Sequence, residues 1–99
     1  MLLVAGRCVI SFLDNDNAAL KSKWTADLIK GMKSKWELTA REVGDHEDTE
    51  ELELGFAALI PEDWHKDQIE QFTDKILLYV DQNAPGRVLN ESWEILEVL

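Results

Sequence analysis

Between residues 52 and 60 apolar side chains occupy every second position without a break, at Leu52, Leu54, Phe56, Ala58 and Ile60. Side chains of a strand alternate between two faces, so this spacing predicts a strand with one apolar face turned to the core. Residues 2–13 are also rich in aliphatic and β-branched types. Val4, Cys8, Ile10 and Phe12 fall on one face there, and Leu3, Val9 and Leu13 on the other. A strand that is apolar on both sides suits the middle of a sheet. Residues 38–43 predict a short strand. Residues 87–98 predict a last one, with Leu89, Trp93 and Ile95 on one side.

Two stretches carry the other period. Asp14-Asn15-Asp16-Asn17 offers side-chain acceptors for free helix amides, and a helix is expected from about residue 17 to 35. At 100° per residue Leu20, Trp24, Leu28, Ile29, Met32 and Trp36 share one half of its wheel. Lys23, Lys30, Lys33 and Lys35 are assigned to the other half. Lys21 is the misfit on the apolar side, and its stem is expected to snorkel at the helix start. Pro61-Glu62-Asp63 is read as the cap of a second helix, with His65, Ile69, Phe72, Ile76, Tyr79 and Val80 on one face. Asn83-Ala84-Pro85-Gly86 ends it, because proline lacks a donor and glycine tolerates left-handed backbone.

The order β-α-β-β-α-β predicts an α+β fold over residues 1–99 as one domain. Two interleaved β-α-β units give the ferredoxin-like plait. Its four-stranded antiparallel sheet has the order 4-1-3-2, with both helices on one face. The two most apolar strands, the first and third, are then central, and Leu52 to Ile60 face the helices. The other sheet face is left open, and Leu3, Val9 and Leu13 are the candidates for self-association across it.

Apolar residues make up 45% of the chain, enough for a core without metal or disulfide staples. The single cysteine, Cys8, excludes an intrachain disulfide and points to a reducing compartment. The apolar start lacks a basic leader, is interrupted by Arg7, and is far short of the ~20 residues that cross a bilayer. It reads as a strand, and the protein as cytoplasmic, with no membrane partner. A net charge of −10 argues against wrapping a nucleic acid. The charge is polarised, however. Residues 18–41 hold six basic side chains (Lys21, Lys23, Lys30, Lys33, Lys35, Arg41) against Asp27 and Glu37, while residues 42–75 hold twelve acidic ones against Lys66 and Lys75.

Signals of chemistry are weak. Asp45-His46-Glu47-Asp48 with His65 hints at a divalent metal, but neighbouring loop residues converge poorly, and a polar connection is the plainer reading. Asp14-x-Asp16 opens like a calcium loop and fails at Ala19 and Thr25. Gly55-Phe56-Ala57-Ala58-Leu59 echoes an RNA-recognition strand, yet Leu54 and Ala58 replace its basic and second aromatic residues. The glycines are too scattered for a phosphate loop, and no Cys8–histidine pair is implied by spacing. No catalytic residue, metal or cofactor is assigned, and an enzyme acting on a small molecule or metal is the reading supported least. The lysine face competes with an ordinary solvated helix face, in which Asp27 would pair with Lys23 and Lys30.

Several segments together resemble the YlxP-like family of small bacterial ferredoxin-like proteins of unknown function. Ala19-Leu20-Lys21-Ser22-Lys23 is similar to that family's Ser-Leu-Lys-Glu-Lys helix start, and Glu42-Val43-Gly44-Asp45-His46-Glu47-Asp48 to its Glu-Val-Asp-His-Gln-Asp stretch. Leu54-Gly55-Phe56-Ala57 resembles its third strand and Lys75 to Val80 its second helix. The chain departs from that pattern at Gly44, an insertion, and at Trp24, where the family tends to have arginine. The resemblance implies a plait without established activity and a binding role near RNA or the ribosome. The expectation is therefore a non-enzymatic adaptor that meets ribosomal RNA or a protein through Lys23, Lys30, Lys33 and Lys35. The alternative is a self-associating module, a homodimer through the open sheet face.

Overall fold

A computed structural model describes residues 1–98. Its elements are β1 (Leu2–Ser11), α1 (Ala18–Lys35), β2 (Thr39–Glu42), β3 (Glu51–Ile60), α2 (Lys66–Asn83) and β4 (Arg87–Glu97). The strands form one antiparallel sheet in the order β2-β3-β1-β4, which is the expected order read from its other edge. β1 and β3 are central and pair along their whole length, Leu2 opposite Ile60 and Ser11 opposite Glu51.

Register explains the core. The even positions of β1 and β3 lie on one face, so Val4, Cys8 and Ile10 join Leu52, Leu54, Phe56, Ala58 and Ile60, all buried. Leu28 and Met32 of α1 and Ile76 and Val80 of α2 complete one cluster with Cys8, Ile10, Leu52, Leu54 and Phe56, so both helices cover that face. A second cluster, Val4, Ile60 and Ile69, lies toward the start of α2, and Phe72 and Trp93 touch both. Gly6 sits between Phe56 and Trp93 in register, and the two rings meet over it edge to face, centroids 4.7 Å apart. A Cβ at Gly6 would overlap the Phe56 ring and stand 2.7 Å from Trp93 Cζ3.

Several details differ from the sequence expectations. β1 stops at Ser11 because Asp14 takes φ 58°, and the Phe12 carbonyl accepts the Asn15 N–H in a turn. Leu13 is thereby carried out of the sheet alternation and left 80% exposed. In β4 the register shifts where Ile10 pairs with Val88 and Val9 with Asn90, so Leu89 is an extra residue. Val88 packs against the core there, and Leu89 is left without a partner on β1 and 56% exposed. Helix α2 is capped by His65, not by Pro61 to Asp63. The His65 N–H donates to Gln68 Oε1 at 2.8 Å, and the ring is exposed instead of lying on the apolar face.

The largest difference is in α1. Its N-cap is Asn17, whose Oδ1 accepts the Leu20 N–H at 3.1 Å. The buried stripe is Lys21, Thr25, Leu28 and Met32, with Leu20 exposed and Trp24 half-buried against Phe12. At 100° per residue these four positions fall in the middle of the expected apolar half, so Lys21, placed there by its spacing, points inward while Leu20 lies at the edge of the stripe.

Candidate functional site

Lys21 does not snorkel. It is 3% exposed, and its ammonium lies 3.0 Å from Glu42 Oε2. It also donates to the carbonyls of Asp45, at 3.2 Å, and Asp48. A buried cation needs a partner charge and filled donor positions, and three oxygens supply them. Asn15 and Thr49 exchange side-chain-to-backbone hydrogen bonds of 2.8 Å beside it. The segment 45–48 is thus a connection shaped from within: Asp45 and Asp48 carboxylates accept the amides of Glu47, Glu50 and Glu51. Among the described residues no three His, Cys, Asp or Glu side chains converge as a metal-ligand set. Cys8 is buried in the core, and its thiol pKa is pushed up to about 11 by burial first and by the Glu91 charge second. His46 and His65 are at the surface.

Of the four helix lysines, Lys23, Lys30 and Lys33 project from the outer side of α1, exposed. Among the described residues none of them forms an ion pair, and Asp27 does not bridge Lys23 and Lys30 as the spacing suggested. Lys35 stands apart. At 100° per residue it is about 120° from Lys23, and its ammonium lies 5.0 Å from the centroid of the Tyr79 ring on α2. Gly31 makes room for that ring, since a Cβ there would stand 2.9 Å from Tyr79 Cζ.

The open sheet face is built in rungs. Leu59, Leu3 and Leu96 lie side by side across three strands, with Leu59 58% and Leu96 42% exposed. The next rung is Thr39, Ala57, Ala5 and Glu94, and the one after it Arg41, Gly55, Arg7 and Ser92. Two guanidinium groups therefore flank a residue with no side chain. A shallow furrow of about 530 Å³ runs here, bounded by Arg7, Thr39, Arg41, Val43, Gly55 and Ala57. Arg7 Nε contacts Glu53 Oε1 at 2.9 Å, while Arg41 has no ion pair among the described residues. Leu3 and Val9 are half-buried on this face, but Leu13 lies outside it.

Sequence reasoning passed over this arginine rung. Arg7 interrupting an apolar strand and Gly55 interrupting an alternating one were the available signals. That they are neighbours, with Arg41 on the far side, depends on a register that spacing alone does not give.

No protein-family profile matches the chain, and no curated protein sequence matches it. Among solved structures it is similar to a de novo designed protein, Ferredog-Diesel, with 10% sequence identity and a TM-score of 0.40. The match covers 96% of this chain and 84% of that one. A likeness this distant says nothing of activity or partners. Among the described residues no helix is long and apolar enough to cross a membrane.

Proposed function

We propose that this chain is a non-enzymatic binding domain that docks on ribosomal RNA through the outer side of α1. The observation that carries the reading is the set Lys23, Lys30 and Lys33, exposed and without ion pairs among the described residues, on a molecule of net charge −10. Cations left unpaired on so acidic a body concentrate positive potential on one helix. Lys35, held over Tyr79, is a lesser contributor than the sequence spacing implied.

The element order and strand order support the ferredoxin-like plait, and with it the YlxP-like resemblance. Two of the segments that resemble that family touch: Lys21 holds Glu42 and the carbonyls of Asp45 and Asp48. A cytoplasmic setting follows from the same reading.

Binding to ribosomes or ribosomal RNA measured across salt concentrations tests the proposal. Each phosphate contact contributes close to one unit of slope in log affinity against log salt. Changing Lys23, Lys30 and Lys33 together to glutamate should abolish binding with little change in thermal stability, because exposed charges contribute little to folding. Lys35→Glu alone should weaken it less than Lys30→Glu alone. Binding by the triple variant equal to the parent would refute the assignment.

A second reading, homodimerisation through the open face, has the Leu59-Leu3-Leu96 rung in its favour. It requires a dimer by sedimentation at micromolar concentration that Val9→Lys dissociates.

A further inference from the structure

The open sheet face has a polarity along the strands that neither the lysine helix nor self-association uses. At one end Leu3, Leu38 and Leu59 border a depression that shares Thr39 and Ala57 with the arginine furrow. Glu37 closes that apolar end. At the other end stand Arg7 and Arg41 with Gly55 between them. The floor joining the two ends is Ala5, Ala57 and Gly55, flat because the side chains are absent or single methyls.

We propose that this face binds an amphiphilic anion, a carboxylate on an unbranched hydrocarbon chain, with its head at Arg7 and Arg41 and its tail on Leu3 and Leu59. Charge sets the direction. Glu37 repels a carboxylate from the apolar end, and the two guanidinium groups attract it to the other.

Length follows from the register. Leu3 and Arg7 are four residues apart, roughly 14 Å of strand, and that stretch contains twelve backbone bonds, so an extended chain of about twelve carbons spans it. The floor argues against a peptide as occupant. Along the floor, at Ala5, Gly55 and Ala57, the backbone of β1 and β3 is paired with a strand on both sides, and these residues add no polar side-chain atom. Peptide groups lying there would find no partners, whereas methylenes need none.

Glu53 occupies one side of the Arg7 guanidinium, so it competes with the ligand head. That contact makes the test directional. Titration of the protein with sodium dodecanoate below its micelle concentration, followed by backbone and methyl NMR shifts, should give saturable binding that moves Ala5, Gly55, Ala57 and Leu59. Arg7→Gln with Arg41→Gln should weaken it about tenfold or more, a loss of roughly 1.4 kcal/mol. Glu53→Gln should tighten it several-fold, and dodecyltrimethylammonium should not compete. Ala57→Leu, which fills the floor without touching the core, should block it. Unchanged binding in the double arginine variant would overturn the proposal. So would shifts centred elsewhere, absence of saturable binding, or a stable dimer burying Leu3 and Leu59.

Discussion

Each face of the sheet has a rung centred on glycine, and the two rungs are adjacent in sequence and opposite in use. On the covered face Gly6 lies between Phe56 and Trp93, and the two rings close the gap over it. On the open face Gly55 lies between Arg41 and Arg7, with Val43 against it, in the lining of a furrow. The same backbone device therefore gives packing where aromatic side chains flank it and a polar-edged depression where guanidinium groups do. The pleat thus sets a closed aromatic rung and an arginine-flanked one a single residue apart.

The comparison is broken most severely by emptying the covered side. Phe56→Ala should lower stability by about 3–5 kcal/mol in urea denaturation, since Phe56 is 5% exposed and carries the contact with Trp93. A loss below about 1 kcal/mol would mean that the covered face does not set the fold.

Next comes the polar exception on that face. Glu42 lies opposite Leu54, on the helix side, and neutralises Lys21. Glu42→Ala should cost about 2–3 kcal/mol, less than for a fully sealed pair because Glu42 is 21% exposed. Lys21→Met combined with Glu42→Leu should recover most of that loss. A double variant no more stable than Glu42→Ala would show that the carbonyl contacts, not the charge pair, hold Lys21 in place.

The two glycines give the direct contrast. Gly6→Ala should destabilise by about 1–3 kcal/mol, because its methyl meets rings packed from both sides. Gly55→Ala should cost less than about 1 kcal/mol, since the nearest atoms to the new methyl all belong to Val43, Cγ1 at 2.9 Å, on a half-exposed side chain that can turn away. Equal costs would erase the distinction between the faces.

The smallest effect on stability, and the sharpest reading of the pleat, comes from thiol labelling. Cys8 and Val9 are neighbours on opposite faces. Native Cys8 is fully buried, with its pKa raised to about 11. Near pH 8 it should react with a thiol reagent at least about a hundredfold more slowly than the single thiol of a chain carrying Cys8→Ser and Val9→Cys. Because the folded Cys8 thiol keeps its proton longer than the unfolded one, its contribution to stability is complete below about pH 9. That contribution is lost as pH rises toward 11.

Much of this contrast was legible in the sequence. The alternation from Leu52 to Ile60 named the buried face of β3, and the two-sided apolar character of residues 2–13 named β1 as its central neighbour. The misses share a cause. Leu89 was displaced by a bulge that no glycine or proline announces, and Leu13 by a left-handed Asp14 just beyond the strand. Lys21 was visible as a misfit, but its partner lies on a strand that local periodicity cannot bring to it. Arg7, Gly55 and Arg41 come from three strands, and only pairing makes them one site.

The Lys21 contact also constrains how this sequence can drift. A chain that loses either the ammonium or the Glu42 carboxylate passes through a state with one unmatched buried charge. The acid and the base should therefore be retained together or replaced together in descendants of this sequence. Gains or losses of residues between 43 and 50 should be scarce as well, because the carbonyls of Asp45 and Asp48 must return to the same ammonium.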